Sequence, residues 1–198
     1  MAVACPGCGR AYADERFAFG RTFWCACGRR IGAEPVRDAR PGGEPEPRFA
    51  VDAMLGRLAR WLRVLGLDAT WRAGVPDAEL VRDAQDEARW ILTRDRRLLD
   101  EWRVPRVHLV ASEDPHEQLR EIVEAFALRG RVRPFARCTR CNAPLEPLAR
   151  ERAAARVPPR VFAGNDRFWL CPRCDRVYWE GSHVERMRRT LADLLAPD

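Results

Sequence analysis

The 198-residue sequence contains no lysine, since all 35 of its basic residues are arginine. This absence excludes Schiff-base lysine chemistry and P-loop phosphate binding, which requires a lysine. Long apolar runs are also missing, and none approaches the roughly 20 residues that span a bilayer. The first residues lack the charged region and the long apolar core of a signal peptide. We therefore expect a cytoplasmic protein with no membrane partner.

The net charge of +6 is distributed unevenly along the chain. Residues 1–48 contain 8 arginines and 6 acids, and residues 49–130 contain 13 arginines and 15 acids. Residues 131–198 contain 14 arginines and only 8 acids. A polyanion such as nucleic acid would favour this basic C-terminal part. The acidic middle would repel it unless cations bridge the two.

The eight cysteines fall into four closely spaced pairs. The pairs are Cys5 with Cys8, Cys25 with Cys27, Cys138 with Cys141, and Cys171 with Cys174. A CxxC hook places two thiolates on one turn, as two corners of a zinc tetrahedron require, so two hooks complete one site. We predict two structural zinc ions with four thiolates each. Disulfides fit poorly with a chain without an export signal, and a redox CxxC would not explain why every pair has a partner.

Proline, glycine and charge concentrate in residues 33–48, which is typical of a linker. The linker separates an N-terminal zinc ribbon at 1–32 from a core at 49–130. A C-terminal zinc ribbon with a terminal helix follows the core at 131–198. In the core, strand patterns such as FAVD, WILTRD and RVHLVA alternate with helix patterns. This alternation predicts an α/β fold with a parallel sheet flanked by helices. The helix PDAELVRDAQDEA is predicted to bury Leu80, Val81, Ala84 and Ala88.

Four aspartates fall where ligands bind in open α/β sheets, beyond the carboxyl ends of the strands. They are Asp52, Asp77, Asp95 and Asp114. Carboxylates held about 4 Å apart repel by about 4 kcal/mol at an effective dielectric near 20, so a cluster persists only when protonated, paired or filled with a cation. Hard oxygen ligands select Mg²⁺ or Mn²⁺. As alternatives, Asp52, Asp77 and Asp114 could each cap a helix, and Asp95 could pair with a neighbouring arginine.

Several segments resemble the Mut-seven C-terminal ribonuclease domain, a member of the PIN-like nuclease group. The most specific are DAMLGRLARWLR, LTRD, the RCxxCN hook and CPRCxxVYWxGSH, and the resemblance covers about residues 49–190. It implies a PIN-like core with an appended zinc ribbon and divalent-metal-dependent cleavage of RNA. The CPGCG module lies outside it.

The resemblance also implies roles for the four acids. The acid at the end of the first strand is Asp52 and the acid of the TRD motif is Asp95, and these two would hold Mg²⁺ or Mn²⁺. The helical acid is Asp77. The last acid is Asp114, with Glu113 as its rival.

Arginines around the acids are candidates for binding the substrate. Arg57, Arg60 and Arg63 recur every three residues, and the first two are expected to contact the RNA backbone; a solvated helix face is the alternative. Arg94 and His183 are further candidates for phosphate contact.

Two other features have open interpretations. Thr93 is either a plain strand residue or a hydrogen-bond partner of a carboxylate or water. The aromatic residues of the C-terminal zinc ribbon either form its core or stack on unpaired bases. These residues are Phe168, Trp169, Tyr178 and Trp179.

The sequence thus predicts a divalent-metal-dependent ribonuclease whose partner is RNA. The alternative hypothesis is a non-catalytic RNA-binding adaptor that uses its zinc ribbons and keeps a vestigial core. A nuclease acting on DNA is a third hypothesis, because the chemistry does not distinguish the sugars.

Overall fold

A parallel sheet of four strands lies at the centre of the computed structural model, which describes residues 2–32, 41 and 46–195. The linker predicted at 33–48 therefore falls mostly outside the described residues. The sheet and its helices follow one another as predicted: β5 (Phe49–Val51), α1 (Gly56–Val64), β6 (Ala69–Trp71), α2 (Asp77–Asp86), β7 (Trp90–Thr93), α3 (Arg96–Glu101), β8 (Val107–Leu109) and α4 (Pro115–Ala125). The N-terminal zinc module precedes this core.

The strand order is β6-β5-β7-β8, and all three pairings are parallel. Alternate residues of each strand point to opposite faces of the sheet. Both faces therefore carry apolar side chains, and helices cover both. Phe49 and Val51 pack with α1 and α4, whereas Ala50 and Ile91 pack with α2 and α3. All of β5 and β7 is buried, as expected for parallel strands covered on both faces. The predicted α/β class with a parallel sheet flanked by helices is confirmed.

The N-terminal zinc module consists of two short hairpins, one formed by β1 (Ala2–Ala4) and β2 (Ala11–Ala13), the other by β3 (Phe23–Trp24) and β4 (Arg30–Ile31). It docks on α3 of the core. The amide of Thr22 donates to the carbonyl of Glu101 at 2.5 Å, and its hydroxyl donates to the carbonyl of Asp100 at 2.9 Å. The module therefore contacts the helix that follows Asp95.

The C-terminal zinc module contains an antiparallel sheet in the order β11-β10-β9. Its elements are β9 (Glu146–Leu148), α5 (Arg150–Ala154), α6 (Pro159–Ala163), β10 (Phe168–Leu170), β11 (Val177–Trp179) and the terminal helix α7 (Ser182–Leu195). Leu191 and Leu194 of α7 join the core cluster beside α1 and α4. The terminal helix thus packs on the α/β core rather than extending into solvent.

Two local predictions are wrong. Arg63 was expected on an exposed arginine stripe, yet it is only 4% exposed and donates to the carbonyls of Ala69 at 2.7 Å and Arg140 at 3.0 Å. Three residues of an α-helix cover about 60° less than a full turn. Arg63 therefore lies on a different face of α1 from Arg57. Ala88 was expected in the core, but α2 ends at Asp86 and Ala88 is exposed with φ of 51°.

Within the described residues, we find no helix of the length and apolarity needed to cross a membrane.

Candidate active site

The buried carboxylate of Asp52 marks the carboxyl end of the central strand β5. Asp52 is only 6% exposed, and its backbone amide donates to the carbonyl of Leu92 on β7 at 3.0 Å. This parallel register sets Asp52 beside Thr93, the last residue of β7. The Thr93 hydroxyl donates to Asp52 Oδ2 at 2.6 Å. That distance is typical of a charge-assisted bond to an ionised carboxylate.

Thr93 also connects Asp52 to Asp95. Its Oγ1 accepts a hydrogen bond from the Asp95 amide at 2.9 Å, and its side chain is fully buried. One hydroxyl therefore fixes the position of one carboxylate and the backbone of the other. Of the two interpretations of Thr93, the structure supports the hydrogen-bond partner of a carboxylate.

Asp77 lies near both of these acids, at the start of α2. Burial raises its pKa because it penalises the charged form, and the negative charges of Asp52, Asp95 and Glu101 raise it further. The fold thus brings Asp52 and Asp95 within electrostatic reach of Asp77. The sequence did not single out Glu101, because nothing in its local pattern shows that the end of α3 lies within reach of Asp77.

The alternative interpretations of these acids are only partly supported. Asp52 makes no side-chain capping bond, and Pro76 rather than Asp77 occupies the cap position of α2. Asp95 does cap α3, since its Oδ1 accepts from the Arg97 amide at 2.8 Å. Across residues 2–32, 41 and 46–195, no arginine forms an ion pair with Asp52, Asp77 or Asp95. Their negative charge is therefore not neutralised by guanidinium groups.

Asp114 has a different environment. It is exposed and caps α4, accepting from the amides of His116 at 2.8 Å and Glu117 at 3.1 Å. These amides lower its pKa, that of Glu117 most strongly. Asp114 is not among the charges that perturb Asp77. Its catalytic role stays a prediction.

The rival acid Glu113 pairs with Arg94 at 2.6 Å, and this hydrogen bond lowers the pKa of Glu113. Arg94, predicted to bind substrate, is thus engaged by an acid in this state. The side chain of His183 lies outside the described part of the chain, so its predicted phosphate contact stays a prediction.

Arg57 and Arg60 are exposed on α1 and form no ion pair with any described residue. Both line a groove of about 440 Å³ that Asp114 and His116 also line. Within the described part of the chain, two arginines without an ion pair are therefore available beside Asp114 for contact with a phosphate backbone.

Asp52, Asp77 and Asp95 form an open arrangement. Among the described residues, only cysteines form groups of three or more potential ligands whose atoms all lie within 4.8 Å of one another. The acids therefore do not form a closed cage of protein ligands. Mg²⁺ sites in proteins commonly use one or two carboxylates together with water and substrate phosphate, so this openness fits such an ion.

The eight cysteines meet as the sequence predicts, in two groups of four. In the first group the Sγ atoms of Cys5 and Cys27 are 3.5 Å apart, and those of Cys8 and Cys25 are 3.6 Å apart. In the second group the corresponding distances are 3.6 Å for Cys138 with Cys174 and 3.3 Å for Cys141 with Cys171. A tetrahedral zinc ion with Zn–S bonds of about 2.3 Å holds its sulfurs about 3.8 Å apart. Both groups can therefore hold zinc.

Each cysteine group is hydrogen-bonded to one tyrosine, and these are the only two tyrosines of the chain. Tyr12 donates to Cys25 Sγ at 3.0 Å, and Tyr178 lies 3.0 Å from Cys138 Sγ. The Cys27 amide and the Tyr12 hydroxyl lower the pKa of Cys25 to about 6. Burial opposes ionisation of Cys138, yet Tyr178 and two backbone amides lower its pKa to about 6. Such thiols are ready to bind metal as thiolates.

Comparison with known proteins gives one family. The family model described as the Mut7-C RNAse domain matches residues 47–191, which include the core and the C-terminal zinc module. No curated protein and no solved structure matches the chain. The N-terminal zinc module lies outside the matched residues.

Proposed function

Because the chain belongs to the Mut7-C RNAse domain family, we propose that it hydrolyses RNA phosphodiester bonds at a Mg²⁺ or Mn²⁺ site held by Asp52 and Asp95. The observation that carries this proposal is the buried Asp52 carboxylate. It shares its surroundings with two further carboxylates, and no described arginine pairs with any of the three. Such a set requires protonation or a cation.

The donor set fits a hard divalent cation, since carboxylate oxygens at an open edge are the ligands that Mg²⁺ and Mn²⁺ prefer. When bound, such an ion polarises the phosphodiester, activates water and stabilises the leaving oxygen. Asp77 would complete the site from α2. Asp114, or Glu113 once released from Arg94, would add a further carboxylate.

The remaining residues act through binding and positioning. Thr93 holds the Asp52 carboxylate in one orientation and ties it to the Asp95 backbone. Arg57 and Arg60 would neutralise backbone phosphates as the RNA approaches the acidic edge. Arg94 and His183 are proposed as further phosphate contacts.

The eight cysteines are proposed to hold two structural zinc ions, because four thiolates leave no open position for a reacting water. All eight are free thiols in the structure. Metal-binding thiols of this kind persist in reducing compartments, so the proposal includes a cytoplasmic location.

The direct test is incubation of labelled RNA with Mg²⁺ or Mn²⁺. The wild type should cleave, whereas Asp52→Asn and Asp95→Asn should each lose at least about 100-fold in rate, since the metal supplies several kcal/mol of transition-state stabilisation. Asp86→Asn is the matched control, because Asp86 is an exposed acid on α2. Zinc content should be the same in all four proteins.

Two outcomes would redirect the proposal. RNA binding without cleavage by the wild type would support the non-catalytic adaptor instead. Equal cleavage of DNA in the same assay would replace the ribonuclease with a nuclease that does not discriminate the sugar.

A further inference from the structure

An apolar cavity of about 510 Å³ lies between the C-terminal sheet and the terminal helix α7. Its walls include Phe135, Trp169, Val177, Tyr178, Trp179 and Met187. Most of these side chains are half-buried, so their apolar surface is accessible from the cavity. The cavity is large enough for a nucleobase.

Trp169 is the most informative wall residue. Its neighbour Phe168 is 3% exposed and belongs to the hydrophobic core of the C-terminal module, together with Leu148. Trp169 points to the opposite face of β10, is half-buried and is absent from that core cluster. Its indole N–H donates to no acceptor among the described residues. The interpretation of the aromatic residues as zinc-ribbon core thus holds for Phe168 and not for Trp169.

The cavity adjoins the groove that Asp114 lines. Arg60 and Met187 line both spaces, whereas Arg57 and Asp114 line the groove only. An RNA chain bound in the groove can therefore contact Arg57 and Arg60 and place a base in the cavity.

The charges around the cavity favour a polyanion over an apolar protein segment. Arg60 is exposed and forms no ion pair with any described residue, so its positive charge is available to a ligand. The one acid in the cavity wall, Glu180, is neutralised by Arg188 at 2.5 Å, and Arg188 also lies over the Phe135 ring at 5.5 Å. Aromatic surface beside arginine is the combination that binds single-stranded nucleic acid, because bases stack on the rings and phosphates contact the cations.

We propose that this cavity binds an unstacked base of a single-stranded RNA substrate, with Trp169 as the stacking platform and Arg60 on the adjoining phosphate. The proposal rests on the ribonuclease function proposed above. It assigns the chain a preference for single-stranded over duplex RNA, because a paired base cannot leave its helix without losing its partner.

The test uses the full-length, zinc-loaded Asp52→Asn protein, which should bind RNA without cutting it. Fluorescence anisotropy with a labelled single-stranded RNA should show about 5- to 150-fold weaker binding after Trp169→Ala. Trp169→Phe should retain most of the affinity, since it keeps an aromatic face. Trp24→Ala is the matched control, because Trp24 is 68% exposed in the N-terminal module, and it should change the affinity less than twofold. Equal losses in the two alanine variants would overturn the proposal, as would equal affinity for a duplex.

A second measurement leaves the protein unchanged in case Trp169→Ala disturbs the zinc ribbon. The Asp52→Asn protein is titrated with a series of oligonucleotides, each with one abasic position. One oligonucleotide of the series should bind this protein about as weakly as intact RNA binds the Trp169→Ala variant. Combining that oligonucleotide with Trp169→Ala should give little further loss. Full additivity, or no sensitive position in the series, would contradict base binding in the cavity.

The two proposals fail in different ways. If wild type does not cleave RNA but binding depends on Trp169, the ribonuclease proposal falls and the cavity assignment stands. If wild type cleaves RNA and Trp169→Ala binds it as tightly as wild type does, the cavity assignment falls alone.

Discussion

The hydroxyl of Thr93 offers a sensitive test of the site, because one atom supports two of the proposed metal ligands. Thr93→Val keeps the shape of the side chain and removes Oγ1. The change eliminates the 2.6 Å bond to Asp52 Oδ2 and the 2.9 Å bond from the Asp95 amide. Both Thr93 and Asp52 are buried, so water cannot readily replace the lost donor.

The expected loss of stability follows from these two bonds. A hydrogen bond to a charged group contributes about 1.5–3 kcal/mol and a neutral one about 1 kcal/mol, so the free energy of unfolding should fall by about 2–4 kcal/mol. Loss of a residue that orients a metal ligand typically weakens metal binding about 10- to 100-fold. Thr93→Val should therefore lower both the stability and the Mn²⁺ affinity.

The assay combines urea unfolding with Mn²⁺ titration followed by electron paramagnetic resonance. No chelator is used, so that zinc stays bound. Thr93→Ser, which retains the hydroxyl, should keep most of the Mn²⁺ affinity.

Thr70→Val is the matched control on β6, an edge strand of the same sheet; among the described residues the Thr70 hydroxyl donates only to the Phe49 carbonyl, at 3.2 Å. It should cost about 0.5–1.5 kcal/mol and leave Mn²⁺ binding unchanged. Wild-type Mn²⁺ affinity in Thr93→Val would refute the positioning role of Thr93.

Three further predictions follow from the site and its supports. The pKa of Asp77 is raised in the folded state, so the ionised form of Asp77 lowers the stability as the pH rises through that pKa. Without Mg²⁺, Asp77→Asn should therefore be more stable than wild type at pH 8. Urea unfolding should show this difference in free energy becoming smaller toward pH 5. Cys138→Ser should reduce the zinc content from about two ions to about one per chain by elemental analysis, since each group of four thiols forms one site. Arg63→Met should lower the free energy of unfolding by about 2–4 kcal/mol because it removes buried hydrogen bonds to backbone carbonyls, whereas Arg57→Met on the exposed face should change it by no more than about 0.5 kcal/mol.

Much of the core could be predicted from sequence because its local signals are strong. WILT is a short strand that is apolar except for Thr93, FAV is a fully apolar one, and both are buried in the sheet. Acids that follow such strands must lie at the same edge when the strands are parallel, which is why Asp52 and Asp95 could be paired in advance. The four cysteine pairs were equally informative, since their spacing permits few structures other than a metal site.

The rest depended on contacts between distant segments. The bond from Thr93 to Asp52 requires the register between β5 and β7, which no local pattern encodes. Arg63 looks like any exposed helical arginine until the zinc hook around Arg140 supplies carbonyl acceptors for it. The effect of Glu101 on Asp77 depends on how α3 packs beside α2.

The most direct test of the central claim is an anomalous difference map from crystals of the zinc-loaded protein soaked in Mn²⁺. We expect a manganese peak in contact with carboxylate oxygens of both Asp52 and Asp95. If crystals soaked in saturating Mn²⁺ show no manganese peak at these two carboxylates, the account is contradicted.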